Sequence, residues 1–256
     1  MKRAYKKPEM IIFDYGHTLV YESSFDLYKG YEKLHGTASE NPLELTPEQM
    51  HELANKQLFD KIYKAQDHYN TEYKWNLAMR AFFEANGLKF PEQYTEKPCE
   101  LEILFWDAIA PGQPMPGISE LLELLHKMNI RTGVISNISF SQNALTKRIN
   151  SCIPNNKFEF IIASSEYNIR KPNQLLFQAA LQKANLPAKN AWYCGDNIDA
   201  DIHGSNACGI FPLWFNSPLK CAYHRSKDPQ AKPLCEHLYI TDWSEFYKFA
   251  NEHFTE

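Results

Sequence analysis

The 256-residue chain has no apolar run close to the roughly 18 residues that a membrane span requires. It has no basic excess: 27 Lys and Arg face 31 Asp and Glu, for a formal net charge of −4. Proteins that coat nucleic acid present a basic face, so neither nucleic acid nor membrane is an expected partner. The opening MKRAYKKPEMIIF is basic and then apolar. Its apolar stretch runs only from Met10 to Phe13 before Asp14 interrupts it, too short for the core of an export signal. The six cysteines (Cys99, Cys152, Cys194, Cys208, Cys221 and Cys235) contain no CxxC pair and no dense framework. They are read as reduced thiols of a cytoplasmic protein. Internal repeats and low-complexity tracts are also absent. What is present is 44% hydrophobic and 14% aromatic residues, enough for a packed core in one large domain or a core domain with an insertion.

Five short apolar runs read as buried strands: Met10–Asp14, Arg131–Ser136, Phe158–Ala163, Ala191–Gly195 and Phe211–Phe215. Their apolarity is continuous rather than alternating, as in a parallel sheet covered on both faces. Helical patterns lie between them. In ISELLELLHKM, Ile118, Leu121, Leu122, Leu125 and Met128 recur at spacings of three and four, with Gly117 and Ser119 near the start. In NQLLFQAALQKAN, Leu176, Ala180 and Ala184 recur every four residues, and Asn173 is the expected N-cap. Strands alternating with such helices predict right-handed βαβ units and a doubly wound α/β fold.

The region from about Tyr21 to Ala110 breaks that alternation and reads as successive helices. The clearest runs are Pro47–Lys64, Thr71–Asn86, with Gly87 where a C-cap glycine belongs, and Glu96–Ala110. PGQPMPG, Pro111 to Gly117, then reads as a hinge back into the sheet. Residues 1–20 and 112–256 are expected to form an α/β core, and residues 21–111 an all-helical insertion. The tail after Pro218 reads as less regular, with His224 to Pro233 an exposed loop and His237–Ile240 one more short strand.

Four features stand at the carboxyl ends of the predicted strands, the edge where open α/β sheets bind ligands. They are Asp14; Ser136 with Asn137; Lys171; and Asp196, with Asp199 and Asp201 close behind. Singly each has an ordinary explanation: a helix cap, a turn, a solvated Lys-Pro, an acidic helix start. Together they form one coherent site. It has a carboxylate nucleophile, a hydroxyl and an amide for phosphoryl oxygens, a lysine for developing charge and acidic residues for a cation. All-oxygen ligands suit Mg²⁺.

In order and spacing, these motifs resemble those of the haloacid dehalogenase superfamily, across about 200 residues from Asp14 to Asp201 and the strand beyond. The resemblance implies a Rossmann-like core with the helical insertion as its cap domain. It implies a Mg²⁺-dependent phosphatase of a small phosphorylated metabolite, working through an aspartyl-phosphate. Asp14 would be nucleophile and metal ligand, Ser136 with the Asn137 amide would bind the phosphoryl group, and Lys171 would stabilise its charge. Asp196 and Asp201 would hold the metal, Asp201 directly or through water. In SEYNIRKPNQLLF, Asn168 stands where the family usually has glycine; Asn is the next best residue for positive φ.

One position departs from the family. Its first motif usually reads Asp-x-Asp-Gly-Thr, whereas this chain reads Asp14-Tyr15-Gly16-His17-Thr18. The missing second aspartate is the family's general acid and base. Gly16 can still offer a carbonyl to the metal but cannot move a proton, a function typically contributing about 10²–10⁴-fold. His17 and Tyr15 are the neighbouring substitutes, and imidazole titrates in the right range; alternatively His17 only fills the turn. Two other readings follow from Gly16. One is a non-catalytic phospho-ligand-binding protein. The other is a phosphonate hydrolase using a cap lysine (Lys56, Lys61, Lys64 or Lys74) as a Schiff base. A dehalogenase would also lack the aspartate, but that chemistry needs no metal-binding fourth motif. Phe82, Phe83, Phe105 and Trp106 are expected in the cap core, and Phe25, Tyr28 and Tyr31 are candidates for the substrate pocket.

Overall fold

The structure, a computed structural model, describes residues 5–220 and 231–254. Strand β1 (Met10–Phe13) is buried throughout, and β2 (Val20–Glu22) leads away from it. Six helices follow: α1 (Leu27–Thr37), α2 (Pro47–Ala54), α3 (Asp60–Tyr69), α4 (Trp75–Ala85), α5 (Glu92–Glu96) and α6 (Pro98–Ile109). Strand β3 (Gly112–Pro114) pairs antiparallel with β2 and brings the chain back. Then come α7 (Ile118–Lys127), β4 (Arg131–Ser136), α8 (Gln142–Cys152), β5 (Ile161–Ala163), α9 (Gln174–Ala184) and β6 (Ala191–Gly195). The chain continues through α10 (Gly204–Ala207), β7 (Phe211–Phe215), β8 (Leu238–Ile240) and α11 (Trp243–His253).

The main sheet has the order β5-β4-β1-β6-β7-β8, with every neighbouring pair parallel. This is the expected doubly wound, Rossmann-like sheet. The chain runs outward from β1 through β4 to β5, then returns to β6 and runs the other way. Strands β1 and β6 are neighbours whose connections leave to opposite sides, and a crevice opens beyond their carboxyl ends.

Local chemistry explains most elements. Asn173 caps α9, its side chain accepting the Leu175 N–H, and Thr46 and Gln49 form a reciprocal capping box at the start of α2. The run predicted from Pro47 continues without a break through a π-helical turn at Asn55–Phe59 to Tyr69. Phe82, Phe105 and Trp106 are buried, and Phe83 packs against Phe90. Tyr31 is buried too, set edge-on against Phe105 at 5.6 Å.

Three expectations need correction. Strand β5 is only Ile161–Ala163, because Glu159 pairs with Arg131 at the surface instead of entering the core. The proline-rich hinge is partly a strand, β3, whose partner β2 has no counterpart among the predicted strands. The irregular tail ends in a regular helix, α11, capped by Asp242 and burying Trp243, Phe246 and Ala250. Most of the stretch expected as a loop, His224 to Pro233, lies outside the described residues, as does Cys221. The other five cysteines are free thiols. No helix among the described residues is long and apolar enough to cross a membrane.

Candidate active site

Each sheet strand that ends at the crevice delivers one polar group there. Asp14 follows β1 directly and is anchored by its N–H, which donates to the Cys194 carbonyl at 2.8 Å. Ser136 ends β4 and is buried. Lys171, on the loop between β5 and α9, is buried with its Nζ 2.7 Å from both Asp14 Oδ1 and Asp201 Oδ1. Asp196 follows β6, and Asp201 lies one turn further on, its Oδ2 accepting the Asn197 N–H at 2.9 Å. A Cβ on Gly195 would collide with the Asp201 carboxyl, so the close approach requires glycine there. Asp199 does not join the site; it is exposed and pairs with His203 at 3.2 Å.

Carboxylate oxygens of Asp14, Asp196 and Asp201 all lie within 4.8 Å of one another. Such crowding of buried negative charge raises proton affinity. Burial, with the Asp201 charge added, pushes Asp14 up to about 6 from 3.8 despite the opposing Lys171 charge. Burial and the charges of Asp14 and Asp201 push Asp196 well above the usual carboxylate range. For Lys171, burial alone would lower the pKa, but the two carboxylates outweigh it and the net shift is upward. An all-oxygen cluster with this unrelieved charge fits a hard divalent cation.

These residues line a cavity of about 510 Å³ together with Gly16, His17, Asn137 and Phe25. A larger cavity, about 880 Å³, opens near Arg131 at the opposite end of β4 and contains none of the motif residues. His17 adopts a left-handed conformation at φ 58°, its ring stacked on Tyr21 at 5.7 Å. Asn168 is also left-handed, at φ 55°, as its place in the third motif requires. Tyr15 cannot act as a substitute acid. Its hydroxyl is held by Glu22 and Arg148, both 3.2 Å away, and burial drives its pKa well above the usual phenol value.

Of the pocket candidates, Phe25 alone lines the cavity. Tyr28 reaches Glu48 instead, and Tyr31 belongs to the core between helices. Among the described residues lining the cavity, Lys171 is the one lysine. Lys56, Lys61 and Lys64 are exposed, and Lys74 pairs with Glu166 at 2.5 Å. Among the described residues, none of these four lysines lines the cavity where Schiff-base chemistry would need one. The Asn137 side chain binds the Lys171 main chain, leaving only its main-chain amide for a phosphoryl group.

Sequence reasoning missed several residues. The Tyr193 hydroxyl lies 2.7 Å from Lys171 Nζ and donates to the Ile135 carbonyl at 3.1 Å. Its one signal was a hydroxyl in an otherwise apolar strand. Arg148, on α8, is buried and holds Glu22 at 2.9 Å, Asp107 and the Ala110 carbonyl. It was marked only by a charge within the stripe of Ala144, Leu145 and Ile149. Glu72 and Arg170 also line the cavity.

The chain is thus a doubly wound α/β protein with a carboxylate cluster and a buried lysine at the switch point of its sheet. Residues 105–215 match the family model of haloacid dehalogenase-like hydrolases. The chain is 28% identical to the pyrimidine 5'-nucleotidase YjjG of Escherichia coli over 145 residues, 56% of this chain and 60% of that protein. It is 28% identical to the glyceraldehyde 3-phosphate phosphatase of Pyrococcus abyssi over 104 residues, 40% of this chain and 42% of that one. The chain thus spans less than two thirds of the length of these relatives. The HAD phosphatase of Thermococcus onnurineus shares the fold over 96% of this chain and 99% of that one, with a TM-score of 0.60 at 18% identity.

Proposed function

We propose that the protein is a Mg²⁺-dependent phosphatase of a small phosphorylated metabolite, with residues 21–111 as its cap. The observation that carries this reading is the contact of Asp14 with Lys171 beside the Asp196–Asp201 pair in one cavity. In this reading an Asp14 oxygen attacks phosphorus, the bond to the leaving oxygen breaks, and an acyl-phosphate forms. Water then attacks that phosphorus, releasing inorganic phosphate and the Asp14 carboxylate. Ser136 and the Asn137 amide hold phosphoryl oxygens, and Lys171 neutralises developing charge. Asp14, Asp196, Asp201 and the Gly16 carbonyl would hold Mg²⁺, which supplies electrostatic stabilisation of the phosphoryl group. His17, which lines the same cavity, would contact the substrate and is the neighbouring candidate for the missing acid's part.

A second reading, a phospho-ligand-binding protein without turnover, is favoured by one observation, Gly16. The test is hydrolysis of an aryl phosphate with and without Mg²⁺, beside Asp14→Asn. An aryl oxygen leaves without much acid assistance, so Gly16 matters least there. Turnover that needs both Mg²⁺ and Asp14 is expected. A folded, Mg²⁺-binding protein with no turnover would favour the second reading.

A further inference from the structure

The cavity wall beyond Asp14 is built from the helical insertion and the loop leading to Lys171. Glu72, between α3 and α4, lines it with its side chain only 1% exposed. Three hydrogen-bond donors converge on the carboxylate: Gln66 Nε2 at 2.7 Å, the Tyr73 N–H at 3.1 Å and the Ser164 hydroxyl at 2.8 Å. The Arg170 guanidinium lies beside it at an ion-pair distance of 3.6 Å. Burial pushes the Glu72 pKa up, and Arg170 and the three donors pull against that shift. The two N–H donors and the neighbouring guanidinium favour the ionised carboxylate, against the effect of burial.

The charges of the cavity are therefore matched in pairs. Glu22 is answered by Arg148, and Glu72 by Arg170. Lys171 and a divalent cation would balance Asp14, Asp196 and Asp201. Among the described residues lining the cavity, Arg170 and Lys171 are the permanent cations; Lys171 holds Asp14 and Asp201 at 2.7 Å, and Arg170 lies 3.6 Å from Glu72. A substrate's phosphoryl group faces Lys171 and the cation site. A second anionic group of a substrate would be placed on that wall against the buried Glu72 carboxylate. Phe25, Tyr73, Ile109 and Ile138 also line the cavity, together with Gln66 and Ser139.

We infer that Glu72, paired with Arg170, is a specificity-determining residue restricting the site to phosphate monoesters with an uncharged, largely apolar leaving group. The inference rests on the phosphatase reading above and narrows its substrate class. Specificity of this kind is set by repulsion as much as by attraction.

The test uses phenylphosphonate and 4-carboxyphenylphosphonate, which resist hydrolysis and differ by one carboxylate. Each is titrated calorimetrically into the full chain with Mg²⁺, and phenyl phosphate hydrolysis is measured alongside. The wild type is expected to bind the parent probe at least about tenfold more tightly, because like charges meet in the other complex. Glu72→Gln, which releases Arg170, is expected to close or reverse that ratio. If Glu72→Gln does not fold, Arg170→Gln serves instead and is expected to widen it. Equal or tighter wild-type binding of the carboxylated probe overturns the inference, as does a folded variant that moves the ratio the wrong way or not at all. Binding of neither probe overturns it together with the phosphatase reading. Absent hydrolysis with the binding ratio intact counts against the phosphatase reading alone.

Discussion

Asn137 grips the main chain of Lys171 on both sides: its Oδ1 accepts the Lys171 N–H at 2.7 Å, and its Nδ2 donates to the Lys171 carbonyl at 2.9 Å. The loop after β4 thereby sets the height of the loop that carries the lysine. Two hydrogen bonds at net values near 1 kcal/mol each suggest that Asn137→Ala costs about 1–3 kcal/mol of stability. Misplacing the ammonium by an ångström should cost more in rate than in stability, with kcat falling about 10²-fold. Denaturant melts beside steady-state kinetics check this. Unchanged kcat would mean that Lys171 is held by its side-chain partners alone.

In the phosphatase reading, Gly16 would leave the leaving group without a proton donor at that position. Gly16→Asp is expected to raise turnover on an alkyl phosphate by about 10²-fold or more, with little gain on an aryl phosphate. His17→Asn keeps a residue that tolerates φ 58° while removing the imidazole. It should slow alkyl phosphates more than aryl ones. Equal slowing of both would assign His17 to the turn and not to proton movement.

The acidic cluster links pH, cation and stability. Asp14 binds its proton more tightly folded, at about 6, than the 3.8 of an ordinary aspartate. Its contribution to stability is therefore full below the ordinary value and lost as pH rises through the folded one. Near neutrality the cluster carries charge that a cation would relieve. Mg²⁺ should raise the melting temperature at pH 7.5 and raise it progressively less as pH falls through the folded value, because protons compete for the same oxygens. Scanning fluorimetry across pH with Mg²⁺ or EDTA measures this. An increment that grows toward acid pH would place the cation elsewhere.

Arg148 joins parts of the chain that are distant in sequence. Its guanidinium reaches Tyr15 beside Asp14, Glu22 on β2, Asp107 on α6 and the Ala110 carbonyl. A Cβ on Gly112 of β3 would sit 2.9 Å from Arg148 Nε, so glycine makes room for it. Arg148→Met leaves the buried Glu22 without its cation and is expected to destabilise by about 3–5 kcal/mol. Combining it with Glu22→Gln should recover much of that loss, because no buried charge is then left unpaired. Additive losses in urea denaturation would show the pair to be uncoupled.

Much of the core could be read directly from the chain. Strands β4, β6 and β7 fall on continuous apolar runs because a strand buried on both faces has no polar side to interrupt it. Helices α7 and α9 were legible from spacings of three and four, and Asp14, Ser136, Lys171 and Asp196 from their places at strand ends. Strands β2 and β3 were not, since three residues carry no period, β3 includes a proline, and the two are held by each other. Helix α11 had a signal, Asp242 followed by Trp243, Phe246 and Ala250, that the irregular stretch before it obscured.

The sequence by itself determined the sheet, its winding and the ends where the chemistry stands, because burial and periodicity are properties of neighbouring residues. Only the tertiary structure decided what each polar group does once there. It turned Asn137 toward Lys171, excluded Tyr15 as an acid, kept Lys56, Lys61, Lys64 and Lys74 out of the cavity, and brought Arg170 and Ser164 to Glu72, Ser164 across 92 positions of chain. Charge and hydrogen bonding act over a few ångströms of space whatever the separation along the chain, so those pairings exist only once the fold has closed.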